Sequence, residues 1–383
     1  MNKPLKTVLI GAGGYGALYV DWLLDAKDYF NLVGVVDPYA KNSTRYKRLN
    51  KIKIYKQLED FFAENTADLT VISTPVHLHY SQCYMALQKN THVLCEKPLV
   101  PTIKQLDNLD EQVKKTGKTL TVGFQWCFSQ IILGIKRRIL DGDFGRPVTL
   151  KSFVSWPRDW VYYARSWAGK VKTEEGHIVY DSVASNATAH YIHNMLFLAG
   201  LTMESAADLH NAKVECYRAN NIESFDTIAL EGEAAGSKIF FAASHATNYL
   251  IEPVMHYTFE KATILANVIN QDFVFTIHHK DGRVESLGKT LDNEDNNKVI
   301  FTAQSIWGQR PHICTLRTVR PITSFIDKLF EQVPFYDFPN VIKDSQTKAT
   351  YVGHLHLDLL DSFNREKLPS ELGLFWARKA TQI

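Results

Sequence analysis

The sequence predicts two domains: a doubly wound, parallel α/β sheet, followed by an α+β domain built on a large, mostly antiparallel open sheet. Short apolar segments alternate with amphipathic segments of helical length in the first third of the chain, as a parallel sheet covered by helices requires. Beyond residue 205, segments with an apolar residue at every second position dominate. A chain of 383 residues also exceeds the size of a typical single core. We therefore expect domains at residues 1–124 and 125–383.

The first domain is expected to contain short apolar strands at 7–10, 32–36, 69–73, 92–95 and 119–122. The amphipathic segments around them predict helices at 15–26, 41–49, 58–63, 79–88 and 103–116. Because the strands are apolar throughout, helices should cover both faces of the sheet.

The second domain opens with a predicted helix at 130–140 and a turn cluster at 142–147. Alternating apolar residues then predict strands at 213–217, 226–231, 238–244, 256–259, 263–268 and 273–279. Short turns, such as those at 233–236 and 281–282, separate several of these strands and favour an antiparallel meander. Residues 321–363 are expected to be helical.

Composition excludes several classes of partner. The 43 basic and 41 acidic residues nearly balance, which gives no reason to expect a nucleic-acid or membrane partner. No window of about 18 apolar residues occurs, and the N-terminus lacks an apolar signal region. The five cysteines are scattered without a C-x-x-C pair, which favours a reduced, cytoplasmic chain. The histidine pairs do not complete a known ligand spacing, so we expect no metal site.

A glycine-rich hexapeptide at residues 11–16, GAGGYG, matches G-x-G-x-x-G directly after a predicted strand and at the start of a predicted helix. In this context the motif predicts a dinucleotide-binding β-α-β unit of the Rossmann type. The cofactor pyrophosphate would meet the unpaired N–H groups at the start of the helix. The residues expected to bind a nicotinamide cofactor here are Gly11, Gly13, Gly14, Tyr15 and Gly16.

Asp37 follows the second predicted strand, twenty-one residues after Gly16. A carboxylate at this distance accepts hydrogen bonds from the adenosine ribose and repels a 2′-phosphate, which favours NAD over NADP. Lys41 and Arg45 on the following segment leave NADP open as the less favoured cofactor. The alternative role for Asp37 is a turn residue before Pro38.

Two further segments follow the strands at 69–73 and 92–95, at the sheet edge where ligands bind. Together with the glycine loop, they give the chain a resemblance to the glucose–fructose oxidoreductase / inositol dehydrogenase family (Gfo/Idh/MocA) over nearly its whole length. The matching motifs are T-P-x-x-x-H at 74–79, E-K-P at 96–98, G-F at 123–124, G-x-x-G at 142–145, N-A-T-A-H at 186–190 and L-A-G at 198–200. The resemblance implies an NAD(P)-dependent oxidoreductase acting on CH–OH groups, and a homodimer or homotetramer.

Lys97 is the candidate for proton transfer. Oxidation of a secondary alcohol needs a proton acceptor, and a lysine serves if burial and neighbouring charge lower its pKa towards roughly 7–8. Glu96 could orient Lys97 or contact the cofactor, and the Lys97–Pro98 bond is a candidate for the cis form. The alternative is a surface lysine ahead of a helix-starting proline. The cofactor-binding residues expected in these segments are Thr74, Pro75, His79, Glu96 and Lys97.

Asn186 and His190 are four residues apart and would share one face of a helix. The resemblance implies that they occupy the positions of the family's aspartate and histidine that contact substrate hydroxyls, with His190 as the proton-transfer or orienting group. Asn186 cannot act as a base. His193 stands where the family usually has an aspartate. Both changes remove negative charge, so the family's sugar specificity does not carry over directly.

The segment at 156–167 is rich in aromatic residues and contains Arg165 and Trp167. Aromatic faces pack on the C–H faces of sugars, and guanidinium groups bind hydroxyls or carboxylates, so both are candidate substrate-binding residues. The alternative is a structural arm that packs on a neighbouring subunit. Trp126 is a further candidate for the pocket wall, with core packing as the alternative.

These observations predict an oxidoreductase that acts on a secondary hydroxyl of a small carbohydrate or polyol: a sugar, a cyclitol or a sugar derivative. One alternative is a glycoside-cleaving or epimerising enzyme that oxidises a ring carbon transiently and regenerates its bound NAD. A second alternative is a non-catalytic sensor of sugars or dinucleotides.

Overall fold

The computed structural model describes residues 2–269, 272–289 and 296–383. The chain divides into two compact units: residues 1–128 with 293–319, and residues 129–292 with 320–383. The division expected from the sequence assigns 125–128 and 293–319 to the second domain instead. Packing explains the difference, because Val299 and Ala303 are buried in the same core as the strands of the first unit.

The strands of the described residues are Leu5–Ile10 (β1), Phe30–Val36 (β2), Ile54–Tyr55 (β3), Leu69–Ile72 (β4), His92–Cys95 (β5), Leu120–Val122 (β6), Pro147–Ser155 (β7), His210–Arg218 (β8), Thr227–Ala234 (β9), Ser237–Ser244 (β10), Ile251–Phe259 (β11), Ala262–Ile269 (β12), Asp272–His279 (β13), Val284–Lys289 (β14), Phe335–Asp337 (β15), Ile342–Asp344 (β16), Ala349–Tyr351 (β17) and Thr381–Gln382 (β18).

The α-helices of the same residues are Gly16–Asp25 (α1), Leu58–Glu64 (α2), Val76–Gln88 (α3), Ile103–Thr116 (α4), Gln130–Leu140 (α5), Trp160–Tyr163 (α6), Ala189–Ala199 (α7), Asn297–Ile306 (α8), Leu316–Gln332 (α9) and Leu355–Arg365 (α10). Within this part of the chain, no helix combines the length and the apolar character that a membrane span needs.

The first unit contains a parallel sheet with the strand order β3-β2-β1-β4-β5-β6. The chain extends outward from β1 in one direction and from β4 in the other, so the order reverses between these two neighbours. Ligands of doubly wound sheets bind at the carboxyl ends of the strands at such a reversal. Gly11 follows β1 and Ser73 follows β4, so the glycine loop lies at this point. The predicted doubly wound sheet is confirmed.

Local capping residues fix α4, one of two helices whose bounds agree with the prediction at both ends. The Thr102 side chain accepts a hydrogen bond from the backbone N–H of Gln105, at 3.3 Å. Gly117 ends the helix with a φ of +67°, a left-handed conformation that favours glycine. Both bounds of α4 agree with the predicted 103–116, and α5 agrees with the predicted 130–140.

The helix predicted at 41–49 is wrong. The structure has two short 3₁₀ turns instead, Ala40–Asn42 and Tyr46–Leu49. Ser43 separates them, because its backbone is extended (ψ 136°) and its hydroxyl accepts a hydrogen bond from the N–H of Arg45 at 3.1 Å. A serine side chain that bonds to nearby backbone in this way competes with helix formation.

The second unit contains a mostly antiparallel sheet with the path β14-β13-β12-β11-β7-β10-β9-β8-β15, as predicted. The predicted meander is interrupted at one place. Strand β7, which precedes the others in sequence, lies between β10 and β11 and runs parallel to β10. Helix α10 covers one face, where Leu355, Leu359 and Phe363 pack in a core with Phe153 and Phe240.

The prediction of helix throughout 321–363 is also wrong. Helices α9 and α10 lie at its two ends, but the residues between them form β15, β16 and β17. Pro334 stands two residues after Gln332, where α9 ends. A proline has no N–H to continue the helix and disfavours the helical conformation of the residue before it.

Helix α7, which carries His190 and His193, is anchored at its C-terminal end by a buried lysine of α5. The Lys136 ammonium donates a hydrogen bond to the carbonyl oxygen of Phe197 at 2.6 Å and another to that of Ser205. It also lies 3.6 Å from the centroid of the Phe197 ring. A cation at this position satisfies the last carbonyls of the helix and complements its dipole.

Candidate active site

The glycine loop of the first unit is packed too closely for other residues at two positions. Gly11 has a φ of +82°, and a Cβ there would lie 2.4 Å from the carbonyl oxygen of Ser73. A Cβ at Gly16 would lie 2.3 Å from the carbonyl oxygen of Gly11. At Gly13 and Gly14 a Cβ would meet no other described atom within 4 Å. The loop is thus tight against the sheet and open on its outer side, as a phosphate-binding backbone must be.

Asp37 ties the end of β2 to the glycine loop. Its Oδ2 accepts a hydrogen bond from the N–H of Ala12 at 2.8 Å, and its Oδ1 accepts one from the N–H of Tyr39 at 2.7 Å. A carboxylate oxygen can accept more than one hydrogen bond, so these bonds are compatible with further donors such as ribose hydroxyls. They also form the turn that the sequence left as the alternative role.

The basic residues that follow β2 are paired with α1. Arg45 Nε lies 2.5 Å from Asp21 Oδ2, and Arg48 forms ion pairs with Asp21 and Asp25. The hydrogen bonds that the Arg48 guanidinium donates to Asp25 and Asp21 raise its pKa. The Arg45 guanidinium, considered above for a 2′-phosphate, is therefore held by an acidic residue of the first helix.

His79 joins the two segments that follow β4 and β5. Its imidazole is buried, with Nδ1 2.9 Å from the carbonyl oxygen of Pro98 and Nε2 2.8 Å from that of Thr74. Burial lowers the pKa of His79. A neutral ring carries one N–H and donates to one of these carbonyls at a time. His79 therefore fixes the loop of Thr74 and Pro75 against the loop of Lys97.

Glu96 is the centre of the polar contacts in the first unit. Its Oε1 accepts a hydrogen bond from the Tyr19 hydroxyl at 2.7 Å and lies 2.5 Å from the Lys298 ammonium. Its Oε2 accepts the backbone N–H of Lys97 at 3.1 Å. Burial raises the pKa of the Glu96 carboxyl, but the Lys298 charge and these hydrogen bonds outweigh it, so the net pKa lies below its usual value.

Lys97 is partly buried, and the Lys97–Pro98 peptide bond is cis, as predicted. The hydrogen bond that the Lys97 N–H donates to Glu96 Oε2 fixes the backbone of Lys97 just after β5. Trp126, in the 3₁₀ turn Gln125–Phe128, is buried in the same unit, which is the environment of a core residue. Its contact with substrate stays a prediction.

In the second unit, Asn186 lies in the turn before α7, since that helix begins at Ala189. The helical spacing predicted for Asn186 and His190 is therefore wrong. The reason is a pair of serines that satisfy each other's backbone: Ser182 N–H donates to Ser185 Oγ at 2.9 Å, and Ser185 N–H donates to Ser182 Oγ at 3.1 Å. Such bonds favour a turn over a helix.

A buried carboxylate that the sequence analysis missed contacts Asn186. Asp181 Oδ1 accepts a hydrogen bond from Asn186 Nδ2 at 2.9 Å, and Asp181 Oδ2 accepts one from the N–H of Gly169 at 2.6 Å. A carboxylate can only accept, so the amide nitrogen of Asn186 must face Asp181 and its Oδ1 must lie on the other edge. Asp181 thus returns to this region the negative charge that Asn186 lacks.

His190 and His193 both lie on α7. His190 is partly buried, whereas His193 is 1% exposed and its ring is stacked with that of Phe197, with the centroids 6.2 Å apart. The packing of His193 is that of a core side chain of the second unit. A role for either histidine in substrate binding stays a prediction.

The aromatic segment forms a cluster of rings and guanidinium groups. Arg165 lies 5.0 Å from the ring centroid of Tyr162 and 5.7 Å from that of Trp167. Burial and the Asp181 charge raise the pKa of Tyr162. Trp160 donates from its indole N–H to Thr350 Oγ1 at 3.0 Å, which fixes the segment against β17 of its own unit.

Lys298 is a second residue that the sequence analysis missed, because it meets Glu96 from 202 positions away in the chain. A weak signal was available. In α8 the lysine stands among apolar residues and is followed at i+4 and i+7 by Thr302 and Ser305, a pattern that puts a charge on the buried face.

Comparison with known proteins agrees with this geometry. Residues 5–124 match the sequence model of the Gfo/Idh/MocA family, described as an oxidoreductase family with an NAD-binding Rossmann fold. The scyllo-inositol 2-dehydrogenase (NAD(+)) of Bacillus subtilis is 28% identical over 40% of this chain and 45% of its own length. The chain spans about half the length of the curated relatives it matches.

Solved structures share the fold over a longer range. The UDP-N-acetylglucosamine 3-dehydrogenase GnnA from Acidithiobacillus ferrooxidans has a TM-score of 0.68 at 18% identity, covering 84% of this chain and 95% of that one. The WlbA dehydrogenase from Bordetella pertussis, in complex with NADH and UDP-GlcNAcA, has the same TM-score and coverage at 20% identity. The match to the Gfo/Idh/MocA oxidoreductase family thus extends over the N-terminal Rossmann domain, residues 5–124, and the rest of the chain shares the fold of these dehydrogenases.

Proposed function

We propose that the chain is an NAD-dependent oxidoreductase that transfers a hydride between the cofactor and a secondary hydroxyl of a sugar, a cyclitol or a sugar derivative. The observation that carries the proposal is the set of hydrogen bonds at Glu96. This carboxylate accepts the hydroxyl of Tyr19 on α1 and the backbone N–H of Lys97. The segment with a candidate proton-transfer lysine is thus joined directly to the helix that begins at the phosphate-binding loop.

The cofactor side of the proposal uses the open backbone of residues 11–16 for the pyrophosphate and Asp37 for the adenosine ribose. NAD is favoured over NADP for two reasons. The Asp37 carboxylate repels a 2′-phosphate, and Arg45 is engaged by Asp21. Comparing kcat/KM for the two cofactors tests this choice, and a preference for NADP would overturn it.

When bound, a nicotinamide cofactor would supply or accept the hydride. In the oxidation direction, Lys97 Nζ takes the proton of the substrate hydroxyl as the hydride leaves the same carbon, so the alcohol becomes a carbonyl. In the reduction direction Lys97 returns the proton to the carbonyl oxygen. The ammonium form of Lys97 also stabilises negative charge on that oxygen.

The substrate side of the proposal uses the second unit. His190 and Asn186 orient the substrate by hydrogen bonds to its hydroxyls, and the bond from Asn186 Nδ2 to Asp181 supports Oδ1 as the acceptor atom. Arg165 and Trp167 contact the sugar through the guanidinium group and the ring face. Homodimer or homotetramer assembly in the cytoplasm completes the proposal, and light scattering of the purified chain tests the assembly.

The decisive experiment measures NADH formation with a panel of polyols and sugars for the wild type and for Lys97→Met. We expect one class of substrate to be oxidised, with turnover reduced by roughly 100-fold or more in the variant and NAD affinity unchanged. The matched control is Lys114→Met, which removes a lysine that is exposed and paired with Asp110. Near-normal turnover in Lys97→Met removes this lysine from the mechanism.

A further inference from the structure

Lys298 of α8 is a buried cation that is paired with a carboxylate and surrounded by aromatic rings. Its side chain is fully buried in the first unit, and its ammonium lies 2.5 Å from Glu96 Oε1 and 2.9 Å from the Tyr15 hydroxyl. The rings of Tyr15, Tyr19 and Trp22 surround it, with centroids 4.5, 5.1 and 5.2 Å away. A buried charge is costly unless it is paired and hydrogen-bonded, and here both conditions are met.

The two groups that Lys298 bonds belong to the two cofactor segments. Tyr15 is a residue of the glycine loop, and Glu96 directly precedes Lys97. The Glu96 carboxylate is also packed closely against Gly123, since a Cβ at that glycine would lie 2.8 Å from Glu96 Oε1. The ammonium of α8 therefore connects the phosphate-binding loop to the segment of the candidate proton-transfer lysine.

The Glu96 carboxylate would otherwise face Lys97 uncompensated. Among the charges that lower the pKa of Glu96, that of Lys298 acts more strongly than that of Lys97. Burial raises the pKa of Glu96, so without Lys298 the carboxylate keeps its charge as a pair with the Lys97 ammonium, and each group then stabilises the charged form of the other. Such an ammonium cannot accept a proton until the pH is higher.

We infer that Lys298 is a positioning residue for the reaction: it compensates the charge of Glu96, so that Lys97 can lose its proton, and it holds Tyr15, so that the glycine loop keeps its shape. The first part of this inference rests on the proposed function. The second part concerns cofactor binding by the first unit and stands without it.

The first test is the pH profile of kcat/KM for NAD-dependent oxidation by Lys298→Met. The acidic limb of the profile should shift upward by on the order of one pH unit, because the uncompensated carboxylate keeps Lys97 protonated. Lys298→Arg keeps the charge and should keep the limb close to its wild-type position. Lys114→Met is the control that should leave the profile unchanged.

The double variant Lys298→Met/Glu96→Gln separates this role from a structural one. With both charges removed, the acidic limb should return close to its wild-type position. A limb that stays in place in Lys298→Met, or stays shifted in the double variant, would overturn the inference. If Lys298→Met does not fold, the single variant Glu96→Gln decides. The acidic limb of its pH profile should move to lower pH, because the negative charge next to Lys97 is gone, and an unchanged limb counts against the inference.

The second test is NAD affinity, measured by quenching of tryptophan fluorescence without any substrate. Lys298→Met should weaken binding by roughly fivefold, the equivalent of one lost hydrogen bond, whereas Lys298→Arg and Lys114→Met should bind as the wild type does. If the proposed function is wrong, the wild type oxidises no polyol or sugar. The NAD titration still tests the role of Lys298 in that case, and an unchanged NAD affinity in Lys298→Met overturns the inference.

Discussion

Exchanging the partners of the hydrogen bond between Asp181 and Asn186 tests the substrate side of the proposed site. Asp181 accepts a hydrogen bond from Asn186 Nδ2 at 2.9 Å and another from the N–H of Gly169 at 2.6 Å. In Asp181→Asn one of the two oxygens becomes an NH₂ group, so one donor loses its acceptor. Either the Gly169 N–H is left unpaired, or the Asn186 amide turns over and presents its nitrogen where its oxygen was.

The size of the effect follows from the loss of one buried acceptor. A polar group that loses its partner costs about 1–3 kcal/mol, and a turned amide opposes a donor hydroxyl by a similar amount. We therefore expect Asp181→Asn to lower kcat/KM for the sugar or polyol by roughly 5- to 150-fold, with KM for NAD unchanged. Steady-state kinetics with each substrate varied in turn measures both quantities.

The double variant Asp181→Asn/Asn186→Asp is the matched control. It restores one carboxylate and one amide with their positions exchanged, so the hydrogen bond forms again with the same total charge. Most of the lost kcat/KM should return. If Asp181→Asn leaves kcat/KM intact, or the double variant recovers nothing, the reasoning that Asp181 orients Asn186 is refuted.

Three further predictions concern stability and cofactor binding. Burial and the Arg158 charge lower the pKa of His245 from 6.5 to about 3. Because the unfolded state binds the proton first, the free energy of unfolding falls as the pH drops below 6.5, by about 2 kcal/mol at pH 5. The melting temperature should therefore fall with pH in the wild type, and fall less steeply in His245→Gln. Gly16→Ala should abolish NAD binding in calorimetry, because the new Cβ would lie 2.3 Å from a carbonyl oxygen of the loop. The control is Gly134→Ala on α5, which has open space at the Cβ and should bind NAD as the wild type does. Lys136→Met should speed hydrogen exchange along α7 by an amount equivalent to roughly 1–3 kcal/mol. The Phe197 carbonyl keeps the N–H of Gly200, but the Ser205 carbonyl loses the ammonium that donates to it, and unchanged exchange would contradict this role.

The parts of the fold that the sequence predicted well are those decided by neighbouring residues. The bounds of α4 follow from a threonine cap at Thr102 and a terminal glycine at Gly117, which lie next to the helix they delimit. The glycine loop is equally local, since its spacing and its place after an apolar strand lie within one short segment. The helix predicted at 41–49 is wrong for a local reason as well. The Ser43 hydroxyl accepts a hydrogen bond from nearby backbone that competes with the helix, and the amphipathic pattern of the segment does not reveal this bond.

The parts that could not be predicted depend on contacts between distant positions. Nothing near Glu96 in sequence indicates that Lys298 will reach it, because the two are 202 residues apart. Asp181 is close to Asn186 in sequence, but their hydrogen bond depends on a turn that the serine pair at Ser182 and Ser185 imposes. The candidate residues were thus identified by type, whereas the groups that orient them were identified by the structure.

The first unit is built from two separate stretches of the chain, which affects how it can fold during synthesis. Residues 293–319 complete a unit that begins at the N-terminus, and Val299 and Ala303 fill its core. A nascent chain must therefore emerge past β14 and α8 before the cofactor domain can close, so residues 1–128 expose apolar surface until then. Truncation after residue 128 would produce the same unfinished core, and a stable NAD-binding fragment requires the α8 segment, supplied in trans or fused through a short linker.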